Sequence, residues 1–293
     1  MISHRISKAW KRYIWIRWLR LIRPIKDVRT NNNRLVRIDL RDEFISPALY
    51  LTGEVDAHLL NLIGCMDLKG SVCLDIGANL GMFSLAMSDA VGKEGTVYAF
   101  EPEAHNFNLL CHNLKVNNAA NVVARPVAIG ESVGSCSIAI AEGNLGDHQV
   151  VAAAINGRRL QRAEMVTVDT VLSDVPDGAV KLIKIDVQGY EHHVVNGMTE
   201  TLRRNPDMIL MIEVGPGRLR KAGSSVTALI KFFAENNFKG WEFHDYRIFP
   251  IADAWVYELF PGVREEDFIL SQNYELLMDA LSVYYGRPLP IED

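Results

Sequence analysis

Short unbroken apolar runs alternate with stretches at helical spacing through most of this chain. Val72–Ile76 is an apolar run that breaks into a glycine-containing turn and resumes at helical spacing from Met82, the signature of a buried strand, a tight turn and a helix start. The same reading predicts a strand at Val97–Phe100, a helix over Glu103–Asn117 with Phe107, Leu110, Leu114 and Val116 inward, and a third strand over Asn121–Gly130. From Gly134 to Val168 the pattern turns alternating and polar, predicting short strands at Ser135–Ala141, Gln149–Ala154 and Met165–Val168. Val180–Val187 and Met208–Val214 return to buried strands, with helices over Glu191–Arg204 and Ser225–Asn237. Trp241–Asp245 and Ala254–Leu259 supply the last strands, and Tyr274–Val283 a closing helix. Strands alternating with helices at this spacing predict an α/β fold: a doubly wound, mostly parallel sheet with helices on both faces.

Chemistry concentrates at two predicted strand ends. In Asp75-Ile76-Gly77-Ala78-Asn79-Leu80-Gly81, Gly77 and Gly81 permit a sharp turn and close approach of a ligand, because neither carries a Cβ. Glu101, in Phe100-Glu101-Pro102, ends the next strand, where a carboxylate accepts hydrogen bonds from a ribose diol. Asn79 stands where a dinucleotide fingerprint requires a second glycine, so a nicotinamide cofactor fits poorly. S-adenosylmethionine has no phosphates and carries a sulfonium cation, which suits the acidic Asp75 and Glu101. Ala128, at the end of the third strand, is expected beside the adenine. The segment Tyr50–Glu54 is a candidate lid, with Glu54 as a candidate cofactor contact.

The charge pattern divides the chain. Residues 1–41 carry a net +10 and the remainder −15, which predicts a basic extension over 1–45 and one acidic domain over 46–293. An acidic main domain argues against broad nucleic-acid binding. Within the extension, Trp10, Ile14, Trp18, Leu21 and Ile25 share one helical face, and Arg5, Lys8, Arg12, Arg23 and Lys26 gather opposite. Residues 5–26 therefore predict an amphipathic helix that either lies in an anionic lipid interface or docks on protein. It is too charged to span a bilayer, and its arginines interrupt any signal-peptide core. The four cysteines form no Cys-x-x-Cys pair and read as reduced thiols of a cytoplasmic protein, with a peripheral place at the inner membrane face if the leader binds lipid.

Over roughly residues 50–245 the chain resembles the FkbM family of methyltransferases. The resemblance rests on Asp75–Gly81, Phe100-Glu101-Pro102, Thr167-Val168-Asp169-Thr170 and Lys184-Ile185-Asp186-Val187-Gln188-Gly189-Tyr190-Glu191, in that order. It implies a class I methyltransferase fold, S-adenosylmethionine as donor, and usually O-methylation of a hydroxyl on a sugar, glycolipid or natural product. Gln188 departs from the family, which commonly has Glu there. Methyl transfer to a hydroxyl requires alignment and removal of one proton. The candidate bases are His148, beside Asp147 in a Gly-Asp-His segment similar to one in relatives, Asp186 and Glu213, the last two at successive strand ends. Asp186 is also a candidate cofactor contact. Asp186 and Glu213 together are a minority candidate for a divalent metal, because two carboxylates do not make a metal signature. His192 and His193 read as surface or packing residues. Rival readings are a non-catalytic cofactor-fold protein that binds a membrane or partner, and an N-methyltransferase acting on peptide or RNA.

Overall fold

The computed structural model describes residues 15–151, 157–244, 247–251 and 266–286. A helix over residues 15–22 (α1) leads into the hairpin β1 (Ile25–Arg29) and β2 (Leu35–Asp39), followed by α2 (Ile45–Thr52) and α3 (Ala57–Ile63). The doubly wound portion then runs β3 (Val72–Ile76), α4 (Met82–Val91), β4 (Thr96–Phe100), α5 (Ala104–Val116) and β5 (Val122–Arg125). A second sheet follows: β6 (Val127–Ile129), β7 (Gly134–Ala139), β8 (Gln149–Val151) and β9 (Leu160–Val166). After the short α6 (Val168–Val171) come β10 (Val180–Ile185), α7 (Glu191–Asn196), α8 (Thr199–Arg204), β11 (Ile209–Val214), α9 (Pro216–Lys221) and α10 (Val226–Glu235). The described chain closes with β12 (Lys239–His244), β13 (Arg247–Pro250), β14 (Glu266–Ser271) and α11 (Tyr274–Tyr285).

The main sheet has the order β13-β12-β14-β11-β10-β3-β4-β5. Strands β5, β4, β3, β10 and β11 are parallel, and β14 runs antiparallel between β11 and β12. This is the class I methyltransferase arrangement, with the reversed β14 slotted in between β11 and β12 and β13 added at the edge. Side chains alternate across the sheet. Leu74, Ile76, Ile183, Ile185, Leu210 and Ile212 enter a core shared with α7 to α10, whereas Cys73, Val97, Leu182, Ile209 and Met211 enter one shared with α3, α4 and α11. Strand order reverses between β3 and β10, so the crevice at their carboxyl ends is the topological switch point.

Several elements depart from the sequence reading for identifiable reasons. The third strand divides: Val122–Arg125 stays in the main sheet and Val127–Ile129 pairs in parallel with β9. Pro126 lies between them and has no N–H to continue a ladder. The helix expected over Glu191–Arg204 breaks at Gly197, where an added Cβ would meet Gly130 O at 2.1 Å, so this backbone packs too closely for an unbroken helix with side chains. Met165–Val168 was expected as a strand; the strand starts at Leu160, and Val168 already begins a helical turn capped by the Thr167 side chain. The antiparallel β14 had no counterpart in the sequence reading, and the expected strand Ala254–Leu259 lies outside the described residues. Of the leader helix expected over residues 5–26, residues 15–22 are helical and residues 1–14 lie outside the described residues, whereas Ile25 and Lys26 fall in β1 because the helix stops ahead of Pro24.

One cation ties the central strands together. Lys184, 7% exposed near the carboxyl end of β10, donates from Nζ to Gly77 O at 3.0 Å and lies 3.4 Å from Asp186 Oδ2 and 3.7 Å from Asp75 Oδ1. Burial alone would lower its pKa, but Asp186, Asp75 and Glu213 outweigh it and hold the ammonium above the ordinary lysine range. Removing one partner of such a cluster strands the others in a poor dielectric. Lys184→Met is therefore expected to lower the unfolding free energy by about 3–5 kcal/mol in urea titrations at neutral pH; a loss under about 1 kcal/mol would mean the cluster is not held by this charge.

Candidate functional site

The turn after β3 is shaped by backbone proximity. Gly77 has φ +80°, and a Cβ there would sit 1.8 Å from Asp186 O. Its N–H and that of Ala78 both donate to Phe100 O, while Asp186 N donates to Ile76 O, so three strand ends are laced through main-chain bonds. Asn79 takes a left-handed φ of 48°, which Asn tolerates better than most residues. Gly81 follows at φ 87° as the N-cap of α4.

Around this turn lies a pocket that opens to solvent, with about 580 Å³ of non-atom space counted out to its mouth. Its lining includes Gly77, Asn79, Glu101, Ala128, His148 and Asp186, six of the positions singled out in the sequence. Apolar surface comes from Ile76, Phe100, Val127, Ile129, Ile138 and Val150, so the second sheet forms one wall. Leu145 and Gly146 complete the lining from the loop that carries His148.

Glu101 is held by its own turn. Oε2 accepts from Asn79 N at 2.8 Å and Oε1 from Glu103 N at 2.9 Å, leaving each oxygen further acceptor capacity. Burial, with the nearby Glu103 charge, pushes its pKa up to about 7, against the pull of those two N–H groups. Glu103 in turn caps α5 by accepting from Asn106 N at 2.8 Å. Asn106 and Asn79 both donate through Nδ2 to Leu145 O, at 2.7 and 3.3 Å, and so tie the His148 loop over the pocket.

His148 has a defined tautomer. Burial pushes its pKa down, against the charges of Glu103 and Asp147, and keeps the ring neutral at pH 7. Ala141 N donates to Nδ1 at 3.1 Å, so the proton of the neutral ring is on Nε2. The ring therefore presents an N–H, with Glu103 Oε2 3.9 Å away.

Asp186 and Glu213 are brought together by Gln188, whose Nε2 donates to Asp186 Oδ1 at 2.6 Å and to Glu213 Oε2 at 2.9 Å. Gln188 reaches both from a left-handed φ of 57°. The amide thus occupies the space between the carboxylates considered for a metal, and among the described residues no cluster of three or more His, Cys, Asp and Glu side chains has metal-binding geometry. Desolvation raises the Asp186 carboxyl, but the Lys184 charge and the hydrogen bonds it accepts hold it below the ordinary carboxylate range.

Four expected residues lie outside the lining, and one of them, Glu213, lines a separate small pocket with Lys184 and Asp186. Asp75 is fully buried beneath the turn, where it accepts from Ser84 Oγ at 2.5 Å, and burial pushes its carboxyl up despite Lys184. Gly81 packs against Leu110. Glu54 is exposed and accepts from Asn31 Nδ2 at 2.9 Å, because α2 ends at Gly53 and carries the segment away from the pocket. Conversely, Asn106, Lys184 and the bridging geometry of Gln188 were not read as site features. Lys184 did leave a signal, a second cation after Lys181 in an otherwise apolar strand; Asn106 left none.

Four buried polar atoms, Asn79 Oδ1, Asn106 Oδ1, His148 Nε2 and Gln188 Oε1, have no hydrogen-bond partner, and all four belong to residues lining this pocket. Unsatisfied buried groups are costly, so their convergence marks a place for a polar ligand. With the Glu101 carboxylate at one strand end and apolar surface on β6, the residues fit a nucleoside whose ribose bonds to Glu101.

Residues 75–240, more than half of the chain, match the model of the methyltransferase FkbM domain. A Beauveria bassiana protein named Methyltransferase 1 is 26% identical over 189 residues, covering 56% of this chain and 76% of that protein. The hexuronic acid methyltransferase AglP of Haloferax volcanii is 28% identical over 152 residues, covering 50% of this chain but 58% of its own length. A solved FkbM methyltransferase from Methylobacillus flagellatus KT aligns over 68% of this chain and 43% of its own, with a TM-score of 0.44 and 14% identity. The matched family domain contains both strand ends and all of the polar residues that converge on the pocket, and this chain belongs to the FkbM family of methyltransferases.

Proposed function

We propose that this protein transfers the methyl group of S-adenosylmethionine to a hydroxyl of a sugar, glycolipid or natural product. The observation that carries this reading is the pocket at the switch point, whose lining residues bring together the Glu101 carboxylate, Asp186 and four unpartnered buried polar atoms. When bound, the cofactor supplies an electrophilic methyl on a sulfonium, which needs an aligned acceptor more than a strong base. Glu101 would hold the ribose diol, and Ala128 with its β6 neighbours would supply the apolar wall for the adenine. Asp186 is the group suited to orient the acceptor hydroxyl and receive its proton, because Lys184 keeps it ionised and Gln188 fixes its rotamer. His148 serves as a neutral hydrogen-bond donor rather than a base, since Nδ1 is already engaged by Ala141 N–H. A sugar acceptor is supported by the name of the Haloferax relative. It is also supported by the open groove that adjoins the pocket at Val150 and Gln188, lined by Ser135, Ser137, Gln149, Arg158 and Arg218, side chains suited to a polyhydroxylated ligand.

The cofactor reading has a pH signature. Glu101 accepts from a diol best as a carboxylate, and with its pKa at about 7 the free protein is largely protonated at pH 6. Binding must then expel a proton, so calorimetric affinity for S-adenosylhomocysteine should rise about tenfold from pH 6 to pH 8. Glu101→Gln should bind more weakly and lose this dependence; a variant with wild-type affinity and slope would remove Glu101 from the site.

The reaction is tested with methyl-labelled cofactor, a panel of glycosides and polyhydroxylated natural products, and mass spectrometry to locate the added methyl. An ether methyl is expected, and Asp186→Asn should lower kcat by about a hundredfold or more with a smaller change in acceptor KM. Methylation on peptide or RNA nitrogen instead would overturn the acceptor class, and cofactor binding without transfer across the panel would favour the binding-only reading.

A further inference from the structure

Helix α1 has two apolar faces, and the body of the protein covers one of them. At 3.6 residues per turn, Ile16 and Leu19 point the same way, and both are buried, at 4% and 3% exposure, in the core beneath β2 and α2. Trp15, Trp18, Leu21 and Ile22 fall on the other side and are exposed by 50%, 49%, 85% and 56%. Phe44, 62% exposed, is a further large apolar side chain left uncovered on the loop that follows Asp42. The two indoles stack at 4.9 Å, and Trp15 Nε1 donates to the Tyr50 hydroxyl at 3.3 Å, so this surface is organised.

We propose that the exposed face of α1, with Phe44, docks peripherally on an anionic lipid bilayer. Charge selects this occupant. The face belongs to the segment 1–41 with its net +10, including exposed Arg17 and Arg23, whereas the rest of the chain carries −15. An anionic surface attracts the leader and repels the body, which orients the molecule leader-down, whereas two copies meeting through this element would oppose like charge. Tryptophan suits the headgroup boundary because its indole is apolar with one polar edge. Among the described residues no helix is long and apolar enough to cross a membrane, so the contact is interfacial.

The docking face is also joined to the roof of the candidate site. Arg20, on α1, donates to Glu43 Oε1 and to Asp42 O, both at 3.1 Å. Glu43 N donates to Gly143 O at 2.8 Å, and Asp42 Oδ1 accepts from Leu145 N at 3.2 Å. Leu145 lines the pocket. A docked α1 therefore places the pocket roof on the side of the molecule tied to the bilayer.

The full chain should co-sediment with phosphatidylcholine vesicles containing about a quarter phosphatidylglycerol, and not with phosphatidylcholine alone. Trp18→Glu combined with Leu21→Glu should reduce the bound fraction about tenfold, and about 0.5 M salt should weaken wild-type binding. Both side chains are exposed, so the melting temperature should hold; if the pair melts early, Leu21→Gln alone carries the comparison. Absence of binding to anionic vesicles, or equal binding by wild type and variant, overturns the proposal. So does a wild-type dimer that the variant converts to monomer without any vesicle binding, which would assign the face to a second copy. Cofactor calorimetry on the same samples reads the methyltransferase assignment separately, because docking requires no turnover.

Discussion

The candidate site depends on a positive charge buried at the switch point of the sheet. Lys184 sits under the switch point and neutralises the acids that the strand ends bring together, while its ammonium also caps the carbonyl of Gly77. Two of these acids, Asp75 and Asp186, come from adjacent strands whose register places Lys184 opposite Asp75. Carboxylates so close in a poor dielectric would otherwise take up protons or move apart. One ammonium makes a turn that is both tightly packed and acidic compatible with folding.

On that base the pocket is assembled by short reciprocal contacts. Glu101 is fixed by the N–H groups of Asn79 and Glu103, Glu103 caps the helix that carries Asn106, and Asn106 reaches back to the loop bearing His148. Each member has its geometry set by the next, and several polar atoms of pocket-lining residues are left without a hydrogen-bond partner. Such preorganisation is what a transfer reaction driven by alignment requires. Gln188 extends the same logic to the next strand end: a neutral amide spans Asp186 and Glu213 where a glutamate would add a third carboxylate.

The extension before the doubly wound portion is part of this construction as well as an appendage to it. Asn113 on α5 bonds to both N and O of Arg37 on β2, and Asn117 does the same for Leu35. The hairpin is thereby fastened across the outer face of α5, and the loop after it carries Asp42 and Glu43 to the pocket roof. A basic leader and an acidic catalytic body are thus mechanically connected.

The amino-acid sequence by itself determined the parallel α/β class, the turn from Asp75 to Gly81 and the roles expected of Gly77 and Glu101, because these depend on neighbours within one strand, turn and helix start. Buried strands announce themselves as apolar runs, and a glycine facing another backbone leaves a visible gap in that pattern. Only the tertiary structure decided which residues meet across long separations. Pairing β6 with β9 depends on a break at Pro126 and on partners roughly forty positions away. The bridge from Gln188 to Glu213, the reach of Asn106 to Leu145 and the departure of Glu54 from the pocket depend on how separate elements are set in space. The leader shows the same division. Its amphipathic period was legible, yet only packing decided that Ile16 and Leu19 turn inward while Trp18 and Leu21 remain outside. A helix can carry two apolar faces, and sequence periodicity does not say which one the rest of the chain will cover.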